Sequence, residues 1–130
     1  MTAPFVLIST WKVKEGAYPD YEAWFQGLVA HVESGSPRMI AFHTFASEDG
    51  SKLMGVQVHP DVTSMELHLR LVAEYAAAAQ QAYLDQPLHL LVGGERDQAR
   101  EQIYQMAQSR GDLVGFPVHA GGFTRSSAAS

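Results

Sequence analysis

The stretch "VQVHPDVTSMELHLRL", residues 56–71, changes its period halfway along. Val56 and Val58 alternate with Gln57 and His59, the two-residue rhythm of a half-buried strand. Pro60 has no N–H to give a ladder, so the strand stops there. Thr63 and Glu66 then stand at capping-box spacing and open a helix that is expected to run to about Leu84. Met65, Leu69, Val72, Ala76 and Ala79 recur on one side of it, and Glu66, Arg70 and Glu74 on the other. At 100° per residue His68 falls nearly opposite the charged side, so it points inward. A strand thus feeds a helix, with one histidine on each side of the join, His59 and His68.

Working outward from this join, residues 38–46 and 52–59 flank "SEDGS", in which Asp49-Gly50 suits a tight hairpin turn. A two-residue turn pairs His43 with Val56 and Ile40 with His59, which puts the two histidines on opposite faces of the sheet. Upstream, residues 5–14, "FVLISTWKVK", are rich in β-branched and aromatic side chains and read as a first strand. Pro19, Asp20 and Glu22 suit the first turn of a helix over 19–33, whose apolar side carries Tyr21, Trp24, Phe25, Leu28 and Val32. Downstream, residues 87–92 read as a fourth strand, 95–109 as a third helix stopped by Gly111, and 113–119 as a fifth strand. Residues 1–125 are expected to form a single domain, with 126–130 a flexible tail. The order β-α-β-β-α-β is that of an α+β, ferredoxin-like split βαβ sandwich with an antiparallel sheet, here extended by a helix and a strand at the C-terminus. Phe5, Leu7, Phe42, Val56 and Val58 place apolar side chains on both faces of that sheet. The helices cover one face; a second copy of the chain is the simplest cover for the other.

Composition narrows the chemistry. The 130-residue chain has no cysteine, which excludes disulfides, thiolate nucleophiles and cysteine-bound metals, and fits a cytoplasmic location. Its nine Lys and Arg are scattered under a net charge of −5, so no basic stripe offers itself to nucleic acid. No apolar run is long enough for a membrane span, and no basic region precedes the first apolar stretch as it would in a signal peptide. "VGGERDQA" (92–99) lacks the Lys and Ser/Thr of a phosphate loop, and no G-x-S-x-G elbow marks a serine nucleophile.

At the strand–helix join the chain resembles the dimeric α+β barrel superfamily, in particular antibiotic biosynthesis monooxygenase-like domains. Their pattern there is Glu-x-Trp, an Ala five residues on and a His four residues later; Gln57, His59, Ser64 and His68 occupy those positions, and His68 is the identical one. The resemblance implies a homodimer with a ligand pocket between sheet and helices. It also implies oxygenation of phenols, quinols or polyketide-type aromatics without metal or flavin, or, in other relatives, haem binding. Both subgroups carry an Asn on the first strand. This chain has no Asn and offers Ser9, Thr10 and Trp11 instead.

On this reading His68 is the catalytic candidate, as base or hydrogen-bond partner, and Trp11, His59, His43 and Tyr75 are candidates for binding a small apolar or aromatic molecule. By its residues alone His68 serves equally as a neutral core histidine, and His59, at a strand end, is expected to be partly exposed. His43, His89 and His119 reach a shared cavity only if strand parity allows. "HPD" (59–61) offers His59 and Asp61 to a metal, but with no HxH or HExxH beside it no metal and no cofactor is expected. A non-catalytic binding or structural dimer, and a haem-binding protein, remain the alternative functions.

Overall fold

The computed structural model describes residues 3–94, 101, 105 and 112–125. The expected third helix therefore falls, but for Glu101 and Gln105, outside the described residues, as does the tail at 126–130. The described elements are β1 (Phe5–Val13), α1 (Tyr18–Gly35), β2 (Ala41–Ala46), β3 (Lys52–His59), α2 (Val62–Ala82), β4 (Leu84–Gly93) and β5 (Asp112–Phe116). The sheet order is β2-β3-β1-β4-β5. Its first four strands are antiparallel, the ferredoxin-like arrangement, whereas the added β5 runs parallel to β4. Among the described residues no helix is long and apolar enough to cross a membrane.

Local chemistry sets the element ends. The β2–β3 hairpin pairs His43 with Val56, the register expected of a two-residue turn at Asp49-Gly50. Its loop is longer, however: the Ser47 carbonyl accepts the Gly50 N–H across Glu48-Asp49, and the Ser47 N–H donates to the Lys52 carbonyl. There Gly50 takes φ 72°, and Asp49 accepts hydrogen bonds from the Ser51 N–H and from the Ser47 and Ser51 hydroxyls. These three bonds hold the Asp49 carboxyl down at about 2. The start of α2 departs from the expected capping box. Its cap is Asp61, whose carboxylate accepts from the Ser64 N–H at 3.0 Å, two residues before Thr63. β4 begins three residues before Pro87 because the ladder slips at Thr10/Trp11, pairing Thr10 with His89 and Trp11 with Pro87. That irregularity leaves Leu88 without a register partner on β1 beside Pro87, the residue that has no N–H to give the ladder.

The two faces of the sheet differ. Towards the helices, buried residues form three separate clusters: Phe5, Leu7, Met65, Leu90 and Val92; Val13, Tyr21, Leu53 and Leu84; and Leu28, Val32 and Val72. The opposite face carries Val6, Ile8, Val56 and Val58, half-buried, together with exposed Phe45, Met54, Leu91, Val114 and Phe116. None of the described elements covers it.

Candidate functional site

A cavity of about 160 Å³ lies between the sheet and the two helices, where the three clusters meet. Strand register builds its floor in rows. Leu7, Gln57 and Phe42 stand abreast on β1, β3 and β2; the next row is Ser9, Gly55 and Thr44; Trp11 and Leu53 follow. Helix α1 supplies Tyr21, Trp24, Phe25 and Leu28 as one wall, and α2 supplies His68, Leu69, Val72 and Ala76 as the other. Trp24 and Phe25 are half-buried there, each packed against Tyr21, with Tyr83 beside Trp24 and Phe42 beside Phe25. Burial in this wall raises the pKa of the Tyr21 hydroxyl, which stays protonated.

His68 is 1% exposed and sits on the wall with its ring edge-on to Phe42, the centroids 5.3 Å apart. Its Nδ1 is buried and has no hydrogen-bond partner among the described residues. A buried polar atom left unmet carries a penalty of about 1–3 kcal/mol, which a ligand hydroxyl would relieve. Burial also disfavours the imidazolium and brings the His68 pKa down to about 4, so the ring is neutral at physiological pH.

His59 is not the partly exposed residue the strand end suggested. It is wholly buried, because β3 turns its odd-numbered residues towards the helices and the first turn of α2 folds over it. Its Nδ1 lies 2.8 Å from the Ser64 hydroxyl and its Nε2 3.4 Å from Gln57 Oε1. With Gln57 offering an oxygen, Nε2 carries the proton and Nδ1 accepts from Ser64. Burial first, then the neighbouring His68 with ring centroids 5.4 Å apart, lowers the His59 pKa to about 4 against the opposing pull of Asp61. The four positions that carried the family resemblance, Gln57, His59, Ser64 and His68, are therefore one contiguous group. His59 stands behind the wall and Gln57 within it.

The other candidates separate. Trp11 lines the cavity. His43 projects from the uncovered face, exposed beside Phe45, since its parity on β2 is opposite to that of Phe42. Tyr75 is 38% exposed on the outer side of α2, its ring 4.7 Å from that of His31, and does not reach the cavity. His89 and His119 are exposed as well. Asp61, the carboxylate a metal at His59 and His68 would need, is engaged by Arg38, which lowers its pKa, and by the α2 N-terminus. Two floor residues escaped the sequence reading, Gly55 and Thr44, and Ser9 entered it only as one of the residues the first strand offers in place of Asn. A lone glycine inside an apolar strand was the available signal.

By sequence the chain matches no family model and no curated protein. Its fold matches solved structures closely. MupZ from Pseudomonas fluorescens superposes with a TM-score of 0.74 at 17% identity, over 96% of this chain and 91% of that one. Rv0793 from Mycobacterium tuberculosis gives 0.59 at 14% identity, over 75% and 99%. A structure named antibiotic biosynthesis monooxygenase gives 0.57 at 13% identity, over 68% and 94%. The chain has the ferredoxin-like α+β fold of the antibiotic biosynthesis monooxygenase-like proteins.

Proposed function

We propose that this chain is a cofactor-independent monooxygenase, acting as a homodimer on a small phenol or quinol held between sheet and helices. One observation carries the reading: a mostly apolar cavity of single-ring size whose wall includes an unpartnered imidazole nitrogen. Apolar cavities of about 150 Å³ accept a benzene ring. Neutral His68, with its proton on Nε2, accepts the phenol O–H at Nδ1. As that proton moves to His68, the phenolate beside it stabilises the imidazolium. The electron-rich ring then reduces O2 and captures it at carbon; the peroxide loses water and leaves a carbonyl. One oxygen atom stays in the product and one leaves as water, and the substrate supplies all four electrons. Polyketide-type aromatics of several rings exceed the cavity as it stands, and so does haem. A non-catalytic binding protein would use the same cavity.

The test is oxygen consumption with simple phenols and hydroquinones in chelator-treated, flavin-free buffer. The reading expects turnover that falls about a hundredfold in His68→Leu, the scale of a positioned acid–base group. Saturable binding without oxygen uptake would reject the oxygenase and leave the binding protein.

A further inference from the structure

The floor of the cavity has one gap. Between Ser9 on β1 and Thr44 on β2, both with side chains on the cavity, the residue abreast of them on β3 is Gly55. A Cβ placed on Gly55 would stand 3.0 Å from the Ser9 Oγ. Gly55 needs no unusual backbone: it is not among the glycines with positive φ, and it sits mid-strand in regular pairing on both sides. Glycine weakens a strand interior. Its observable effect here is the space it leaves, a notch with a hydroxyl-bearing side chain on either side. His68 lies one row away, against Phe42, which pairs with Gln57. A two-residue step along a strand is about 6.8 Å. That is the span of one aromatic ring with a small substituent at each end.

We propose that Gly55 is the specificity-determining position of this cavity: its notch between Ser9 and Thr44 receives a polar para-substituent of a ring whose phenol oxygen meets His68. The inference rests on the cavity binding a phenol, but not on any oxygenation. It names the ligand class more closely, as a single ring with oxygen at both ends. Ser9 and Thr44 meet the far oxygen, and the apolar walls hold the ring between.

Three probes separate the notch from the cavity: phenol, 4-ethylphenol and 4-hydroxybenzyl alcohol, the last two alike in shape and differing by a methyl against a hydroxyl. Calorimetric titration of the wild-type protein should find the alcohol bound at least as tightly as 4-ethylphenol. An unmatched hydroxyl buried in a purely apolar notch would instead weaken it several-fold to about a hundredfold. In Gly55→Ala both para-substituted ligands should weaken tenfold or more while phenol, too short to enter the notch, stays within threefold. This variant is expected to fold, because the added methyl comes close only to the end of the Ser9 side chain, its other neighbour, the Ser9 backbone oxygen at 4.0 Å, being at ordinary contact distance. Ser9→Ala with Thr44→Val adds no bulk. It should leave 4-ethylphenol unchanged and weaken the alcohol about tenfold. A wild-type protein that favours 4-ethylphenol several-fold, or a Gly55→Ala protein that treats phenol and its para-substituted forms alike, overturns the notch while the cavity reading stands. Failure of all three probes to bind overturns both.

Discussion

One sheet carries two kinds of surface, and its strands alternate between them residue by residue. On the helix side the side chains are deeply buried but do not close on one another; the core breaks into three clusters around a cavity that holds His68, Gln57, Ser9 and Thr44. On the far side Val6, Ile8, Val56, Val58 and Leu91 form an apolar area, with Thr10, His89 and Asp112 side by side next to it. The first face is covered yet incompletely filled; the second has none of the described elements over it. The contrast argues for two different occupants, a small molecule under the helices and a second copy of the chain on the open face.

The largest expected effect is on the open face. Ile8 is on the central strand, abreast of Val56 and Leu91. If this face pairs in an interface of about 2,000 Å², Ile8→Asp places an unpaired charge in it twice over by symmetry. Dimer dissociation should then rise by about 10⁴-fold or more. Light scattering should give about twice the 14.2 kDa chain mass for the wild-type protein and the single chain mass for the variant. A wild-type protein of single mass would break the comparison at once.

Next in size is the response to pH, which belongs to the covered face. His59 and His68 both sit at about 4 in the folded chain, below the ordinary imidazole value of 6.5. Between those values the unfolded chain binds more protons, so stability should be full above pH ~6.5 and fall as the pH drops towards 4. Urea midpoints measured from pH 7 to 4.5 should show that decline in the wild-type protein and a shallower one in His68→Leu. Because Nδ1 has no partner to lose, His68→Leu should also be neutral or stabilising at pH 7. An unchanged pH dependence in this variant would show that His68 is not titrating from a buried state.

The smallest effect sharpens how the covered face is assembled. Asp61, not Thr63, caps α2 and so holds Ser64 over His59. Asp61→Ala should cost about 1 kcal/mol in thermal or urea unfolding, while Thr63→Ala should stay within about 0.5 kcal/mol. Equal losses would restore the capping box at Thr63.

These distinctions were legible in the sequence to different depths. Composition, periodicity and turn signals located all the described strands and both described helices. Centring the hairpin on Asp49-Gly50 gave the observed register, with His43 and His59 on opposite faces, although the loop spans 48–51 and not two residues. Helical spacing alone turned His68 inward. Boundaries fared worse where a competing group intervened: Asp61 outcompeted Thr63 for the orphan N–H groups, and the slip at Thr10/Trp11 let β4 run through Pro87. The burial of His59 depended on α2 folding back over the end of β3, a tertiary event that no local pattern encodes. Tyr75 was misplaced because aromatic character does not reveal which side of a helix a residue takes. Gly55 carries no side chain, and its meaning appears only once Ser9 and Thr44 stand on either side of it.

The central claim is that His68 offers a neutral, unpartnered Nδ1 to a phenol in the covered cavity. Long-range proton–nitrogen correlation spectra of the six histidines, recorded at pH 6 with and without 4-ethylphenol, test it most directly. His59 and His68 should both show neutral rings before ligand is added. On addition, the Nδ1 resonance of His68 should move as it accepts a hydrogen bond, while His43 and His89 stay where they are. A charged His68 at pH 6, or a ligand that shifts His43 or His89 and leaves His68 untouched, would contradict the account.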